Sequence, residues 1–294
     1  MKIACTPVSV RSAFKSQKLT QRQYFELIVA HGAEATDLMD PECYPWFWQD
    51  QKEELQKLAL ALRQTGLKIS AYATGNNFAQ PDNSAFAREV EKVIRAIHAA
   101  EEVGTNLLRI FGGYHQAVNS AMGGIDYANG LELVRRGIEA VLPEAEKCGV
   151  KLALENHGRL PGLSPEILYL MEYFSSPSLG ICFDIANFLA HNMNETEDPL
   201  HAYASLQKYI KHVHFKDWKV APWGSAKRVM PAICGSGDGF VPLRQIAYLL
   251  ERDRFPGYCS LESELPDLDG IGQSLDYMLS LKKSAALLYT EGVK

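Results

Sequence analysis

Short apolar runs of strand length alternate with longer stretches of helical periodicity along the whole chain. Eight runs read as strands: KIACT (2–6), EATDLM (34–39), KISAYA (68–73), NLLRIFG (106–112), KLALEN (151–156), LGICFD (179–184), IKHVHF (210–215) and YCSLES (258–263). Between them apolar residues recur at the helical period, as at Phe86, Val90, Val93, Ile94 and Ile97, and again at Val134, Ile138, Val141 and Ala145. Start signals accompany the helices. Thr20 followed by Gln23 is a capping box, and Asp82 or Ser84, and Ser164, are candidate N-caps. Alternation of strand and helix without hairpin signals means parallel strands. Eight such units close most simply into a single (β/α)8 TIM barrel, expected as one domain over 1–294. An open doubly wound sheet is the alternative. It is disfavoured because the first strand runs into ACTPVSV, with no glycine-rich fingerprint.

Polar chemistry is concentrated at the ends of the later strand runs. Glu155 closes KLALE, Asp184 closes LGICFD, His214 lies near the end of IKHVHF, and Glu262 follows YCSL. The steps from 155 to 184, 214 and 262 are one strand-plus-helix unit each, the last enlarged by a long loop. Charge at the end of an apolar run is costly unless paired or bound to a metal. Four such groups at repeat spacing predict a ring of metal ligands at one end of a parallel barrel. The competing reading is four separate salt bridges with His214 bonded in the core. Glu264 shares a strand face with Glu262, so spacing leaves both open. Three carboxylates and one imidazole suit Mn²⁺ or Mg²⁺ first, then Co²⁺, then Zn²⁺.

Further polar residues surround this ring. Arg109 lies on the fourth strand, Asn156 and His157 follow Glu155, Asn187 follows Asp184 by three, and Lys216 and Asp217 close the seventh strand. Each could contact substrate or scaffold a loop. His212 reads as a core or supporting histidine. Two loops stand out: 40–50, with Tyr44, Trp46, Phe47 and Trp48, and 217–239, with Trp218 and Trp223. Loops this long in a compact domain are usually functional. Trp46, Trp48, Trp218 or Trp223 are expected to line the pocket mouth. The 44–48 cluster could instead be a buried loop anchor or a homo-oligomer interface. CGSGDG (234–239) lacks the lysine of a phosphate loop, and Asp238 is expected to cap the helix after it.

Composition narrows the partners. Hydrophobic residues make up 47% and charged residues 22%, which is enough apolar material for a large core. Net charge is −5 with no Lys/Arg-rich run, which argues against nucleic acid. The six cysteines include no C-x-x-C pair and read as reduced thiols. The start MKIACTPVSVR is too short an apolar stretch for a signal peptide, and no 18-residue apolar run occurs. A cytoplasmic protein with no membrane partner is expected.

The motifs LALENHG, CFDIANF, VHFKD with a later GSGDG, and LESE, in that order, resemble the sugar isomerase/epimerase superfamily of xylose isomerase-like TIM barrels. That group includes D-tagatose 3-epimerase, inosose isomerases and dehydratases, hydroxypyruvate isomerase and, more distantly, endonuclease IV. The resemblance covers nearly the whole chain. It implies a divalent metal on Glu155, Asp184, His214 and Glu262, choosing the first acid of LESE over Glu264. It further implies a small carbohydrate substrate, a ketose, keto-sugar or inosose. Glu155 and Glu262 would act as an acid/base pair through an enediolate. If a leaving group lies β to the carbonyl, the same machinery eliminates it, which makes a lyase the alternative.

Two departures matter. The ketose 3-epimerases place a histidine three residues after the metal aspartate, where this chain has Asn187. Endonuclease IV carries zinc-binding histidines on strands that here read KISAYA and LLRIFGG. A non-catalytic sugar-binding partner is a third reading, and the intact ligand set argues against it.

Overall fold

The computed structural model describes residues 1–48, 53–114, 127–157, 159–189, 196–225, 229–263, 265 and 268–290. Eight strands carry the fold: β1 Lys2–Cys5, β2 Ala35–Met39, β3 Lys68–Ala73, β4 Leu107–Phe111, β5 Lys151–Glu155, β6 Leu179–Asp184, β7 Ile210–Phe215 and β8 Tyr258–Leu261. They form a closed barrel in the order β1-β8-β7-β6-β5-β4-β3-β2, so the (β/α)8 architecture is as the sequence predicts. Neighbours run parallel, as in Lys2↔Tyr258 of β1 and β8, Phe111↔Glu155 of β4 and β5, and Glu155↔Cys182 of β5 and β6. Strands β2, β4 and β6 are buried at every position. Parallel strands are covered on both faces, which is why they read as unbroken apolar runs.

The chain divides into two compact units. One comprises Met1–Ser70 with Val213–Lys294. Its first three α-helices are α1 Arg11–Lys15, α2 Gln21–Ala30 and α3 Glu54–Thr65, and α2 opens on the expected capping box: Thr20 accepts from the Gln23 amide, and the Gln23 side chain accepts from the Thr20 amide. The helix buries Tyr24, Phe25 and Ile28, and the Tyr24 hydroxyl donates to the Cys5 carbonyl at 2.8 Å.

The other unit is Ala71–His212. Its longest helices are α4, Asn83–Glu102, and α5, Tyr127–Lys147. Asp82 caps α4 by accepting from the Ala85 amide, and the Ser84 hydroxyl donates to Asp82 instead of capping. Ser164 is the first helical residue of Ser164–Phe174, and Leu163 is the N-cap. The Glu166 carboxylate reaches back to the Leu163 and Gly162 amides, so a hydroxyl cap is not needed.

Three expectations are corrected. The long loop after β7 contains an antiparallel hairpin, Asp217–Val220 with Val229–Ala232. Its turn has Gly224 at φ +85° and the Ser225 amide bonded to the Pro222 carbonyl, a local signal that strand alternation conceals. A second small antiparallel ladder pairs Gly113–Tyr114 with Arg159–Leu160. A Cβ on the preceding Gly112 would fall 1.9 Å from the Leu160 carbonyl oxygen, so this ladder requires glycine there. Lastly, Asp238 caps nothing. The next helix, Leu243–Arg252, begins after Pro242, and Asp238 pairs with Lys219 at 3.5 Å. Among the described residues, no helix is long and apolar enough to cross a membrane.

Candidate functional site

The four expected ligands all sit where their strands stop. Glu155 is the last residue of β5 and Asp184 the last of β6; His214 is the penultimate residue of β7, and Glu262 follows β8 directly. All four are buried, with Glu155 and Asp184 fully so. Glu264 lies outside the described residues.

In the unit Ala71–His212, Asn187 and Asn156 organise the two acids. The Asn187 amide donates to Glu155 Oε1 at 3.3 Å, and its backbone N–H donates to Asp184 Oδ1 at 2.9 Å. The Ala186 amide donates to the same Asp184 oxygen. Asn156 clamps the Asp184 backbone in both directions, accepting from its N–H at 2.9 Å and donating to its carbonyl at 3.0 Å. Arg109, also buried, brings its Nε to 3.4 Å from Glu155 Oε2 and donates to the Thr74 carbonyl at 2.7 Å. Its guanidinium lies over the Phe111 ring at 4.0 Å, and the His157 ring stacks on that same phenyl at 4.5 Å. Phe111, an apolar residue with no sequence signal of its own, thus positions two of the expected substrate contacts.

In the other unit, His214 Nδ1 is 3.4 Å from Glu262 Oε2. The Lys216 ammonium donates to that same oxygen at 3.0 Å. The opposite edge of the imidazole, Nε2, stands 3.7 Å from Asp37 Oδ2. Asp37 is a buried acid on β2 that sequence reasoning missed. Its Oδ1 accepts from the hydroxyls of Ser70 at 2.5 Å and Ser260 at 2.9 Å. This arrangement fixes the carboxylate that faces the histidine. The available signal was a carboxylate two residues from the end of an apolar strand, as in EATDLM.

The loops divide by role. Asp217 ties its own loop, accepting at Oδ1 from the Trp218 and Val241 amides, and burial raises its carboxyl above the usual range against those hydrogen bonds. Trp218 is half-buried, with the Lys216 ammonium 5.8 Å from its ring centroid. Trp223 is fully exposed at the hairpin turn. In the 44–48 cluster Phe47 is fully buried, edge-on to Phe14 at 5.4 Å, and Trp48 Nε1 donates to the Met39 carbonyl at 2.6 Å. Trp46 packs against Phe14 and Tyr44. These contacts anchor the loop to its own unit. His212 is fully buried, as expected for a core histidine.

The buried acids and histidines include groups with the chemistry to hold a metal ion. The model of the xylose isomerase-like TIM barrel family matches residues 25–281 of this sequence. The chain belongs to that family. None of the curated proteins compared with it matches. Several solved structures share the fold at low identity. A xylose isomerase-like TIM barrel protein from Mycobacterium smegmatis in complex with magnesium is 17% identical, with a TM-score of 0.71, over 97% of each chain. The 3-keto-D-glucoside 4-epimerase YcjR of E. coli is 15% identical, with a TM-score of 0.70, over 95% of this chain and 99% of its own. The probable 3-DHS dehydratase AsbF of Bacillus anthracis is 19% identical, with a TM-score of 0.69, over 95% and 99%. At these identities the likeness is one of fold.

Proposed function

We propose that this chain is a divalent-metal-dependent isomerase or epimerase of a ketose, keto-sugar or inosose, acting as one domain over 1–294. The observation that carries the reading is the set of four buried ligand-type side chains, each at the C-terminal end of its own barrel strand. In this fold that end is where active sites are built.

The donor set fits a metal. Glu155 and Asp184 of one unit and His214 and Glu262 of the other are buried groups of ligand type, with oxygen donors in the majority. Formal charges agree. Glu155 and Asp184 with Arg109 carry a net −1, and Asp37 and Glu262 with Lys216 carry another −1. One divalent ion offsets both. Mn²⁺ or Mg²⁺ suits such oxygen donors, with Co²⁺ and Zn²⁺ as further options. Magnesium accompanies one structural neighbour.

When bound, the ion supplies Lewis acidity at a substrate carbonyl. The chain does the rest. One of Glu155 and Glu262 takes the proton from the carbon beside the carbonyl, giving an enediolate, and the other returns a proton. General acid–base catalysis of this kind contributes roughly 10²–10⁴-fold. Asn187 and Arg109 hold Glu155, and the Lys216 ammonium holds Glu262, so each carboxylate is fixed in place. Arg109, His157, Asn187, Lys216, Trp46 and Trp218 are the proposed substrate contacts.

Elimination of a β leaving group is the second reading. An amide stands where the ketose 3-epimerases carry a histidine, which separates this site from a standard ketohexose epimerase. A probable 3-DHS dehydratase shares the fold, which supports this reading.

A panel of keto-sugars, keto-glycosides and inososes incubated in D₂O with added Mn²⁺ tests both. Deuterium incorporation beside the carbonyl, with or without an epimer, is the expected result. Loss of water or aglycone assigns the lyase. No exchange into any member, with metal bound, removes the enzymatic reading and leaves a sugar-binding protein.

A further inference from the structure

A second group of metal-ligating side chains lies away from the barrel strands. We propose that His98, Glu144 and Cys148 form a site for zinc or another thiophilic divalent ion that clamps α4 to α5. The proposal is independent of the barrel-end reading.

Helix geometry brings the group together. His98 lies near the end of α4, and Glu144 and Cys148 are one turn apart across the end of α5. Residues at i,i+3 and i,i+4 share a helix face. Val93, Ala96, Ile97 and Ala100 of α4 and Val141, Leu142 and Ala145 of α5 are buried, which leaves these polar positions at the solvent edge of the helices.

The three side chains are close enough for a small tetrahedral ion to draw their donor atoms together. Zinc bonds of about 2.3 Å to sulfur and about 2.0–2.2 Å to nitrogen and oxygen place N and O ligands about 3.3–3.5 Å apart, and S about 3.5–3.7 Å from either. Here His98 Nε2 is 3.4 Å from Glu144 Oε1. Cys148 Sγ is 3.8 Å from Glu144 Oε1 and 3.7 Å from the other imidazole nitrogen, Nδ1, so a turn of the His98 ring brings one nitrogen to face both partners. One donor atom from each of the three lies within 4.8 Å of the others, so little movement completes the triad. Water completes the coordination of an ion held by three side chains. A thiolate, an imidazole and a carboxylate together select a borderline-soft ion such as Zn²⁺ over Mg²⁺.

Two groups respond when the ion enters. Burial and Glu101 hold the Cys148 thiol above its usual range, so the free site keeps its S–H; binding exchanges that proton for the metal–sulfur bond, and the proton leaves to solvent. Lys147, which donates to Glu144 at 3.0 Å, has a side chain 73% exposed and swings into water. Exposed pairs of this kind yield easily.

Cobalt(II) titrated into metal-free full-length protein tests the site, because a thiolate ligand adds a charge-transfer absorption that oxygen and nitrogen ligands do not. Wild type should show the band, and Cys148→Ser should lose it with unchanged circular dichroism. His98→Gln should weaken cobalt binding at this site at least tenfold. Zinc should raise the melting temperature of wild type more than that of Cys148→Ser. Absence of the band in wild type overturns the proposal. So does an equal band in Cys148→Ser, which would move the thiolate to Cys182 or another cysteine.

Discussion

At the scale of single residues, His214 is held between two carboxylates. Glu262 faces Nδ1 and Asp37 faces Nε2. A ligating histidine whose second nitrogen meets a carboxylate is fixed in ring orientation and tautomer, and loss of that partner typically lowers metal affinity 10–100-fold. Asp37→Asn keeps the shape and can still accept from Ser70 and Ser260. It should lower metal affinity by about that factor with little change in melting temperature, as read by metal titration. Equal affinity in both proteins would reduce Asp37 to packing. Glu155 and Glu262 carry a different expectation. Glu155→Gln or Glu262→Gln should reduce solvent exchange at the substrate carbon far more than substrate affinity, whereas matched losses would make them positioning groups. The strand-end placement of Glu155, Asp184, His214 and Glu262 was legible in the sequence because each interrupts an apolar run. Asp37 was not, because its partners Ser70 and Ser260 are 33 and 223 residues away.

At the scale of elements, close packing and loop anchors decide more than propensity. A Cβ on Gly137 of α5 would stand 2.3 Å from the Phe78 ring, and that ring is fully buried. Gly137→Ala gains roughly 1 kcal/mol of intrinsic helix preference. Overpacking of a tight core costs about 1–3 kcal/mol. We expect the clash to dominate, so that the variant unfolds at lower denaturant; a higher midpoint would show that Phe78 moves aside freely. The aromatic loop follows the same logic. Phe47 and Trp48 tie 44–48 to its own unit, so Trp46→Ala with Trp48→Ala should lower turnover and leave the oligomeric state unchanged on sizing. Dissociation with per-chain activity retained would instead make the loop a subunit contact. Composition announced this aromatic cluster. It could not separate lid, anchor and interface, because those differ only in what the rings touch.

At the scale of the whole molecule, burial sorts the six thiols. Cys5, Cys182, Cys234 and Cys259 are buried, and Cys43 and Cys148 are partly exposed. Burial pushes the Cys5 and Cys234 thiols up to about 12. Alkylation depends on thiolate and access. Native protein in mild base should therefore take label at Cys43 and, more slowly because its thiol is raised, at Cys148, and all six should react after denaturation, as counted by mass spectrometry. Early labelling of Cys234 would show that the loop above it opens. Chelation should also lower stability, because an ion bound only to the folded chain at 100 times its Kd adds about 2.7 kcal/mol. The sequence by itself determined the count and order of the eight barrel strands, and the charged positions that end the later ones. Parallel strands buried on both faces must be short apolar runs, and ionised groups there stand out because they are costly to bury. Only the tertiary structure decided which groups meet: Asp37 with His214, Lys216 with Glu262, His98 with Cys148, and the hairpin within 217–239. Local spacing encodes periodicity along the chain, whereas these contacts depend on distances across it.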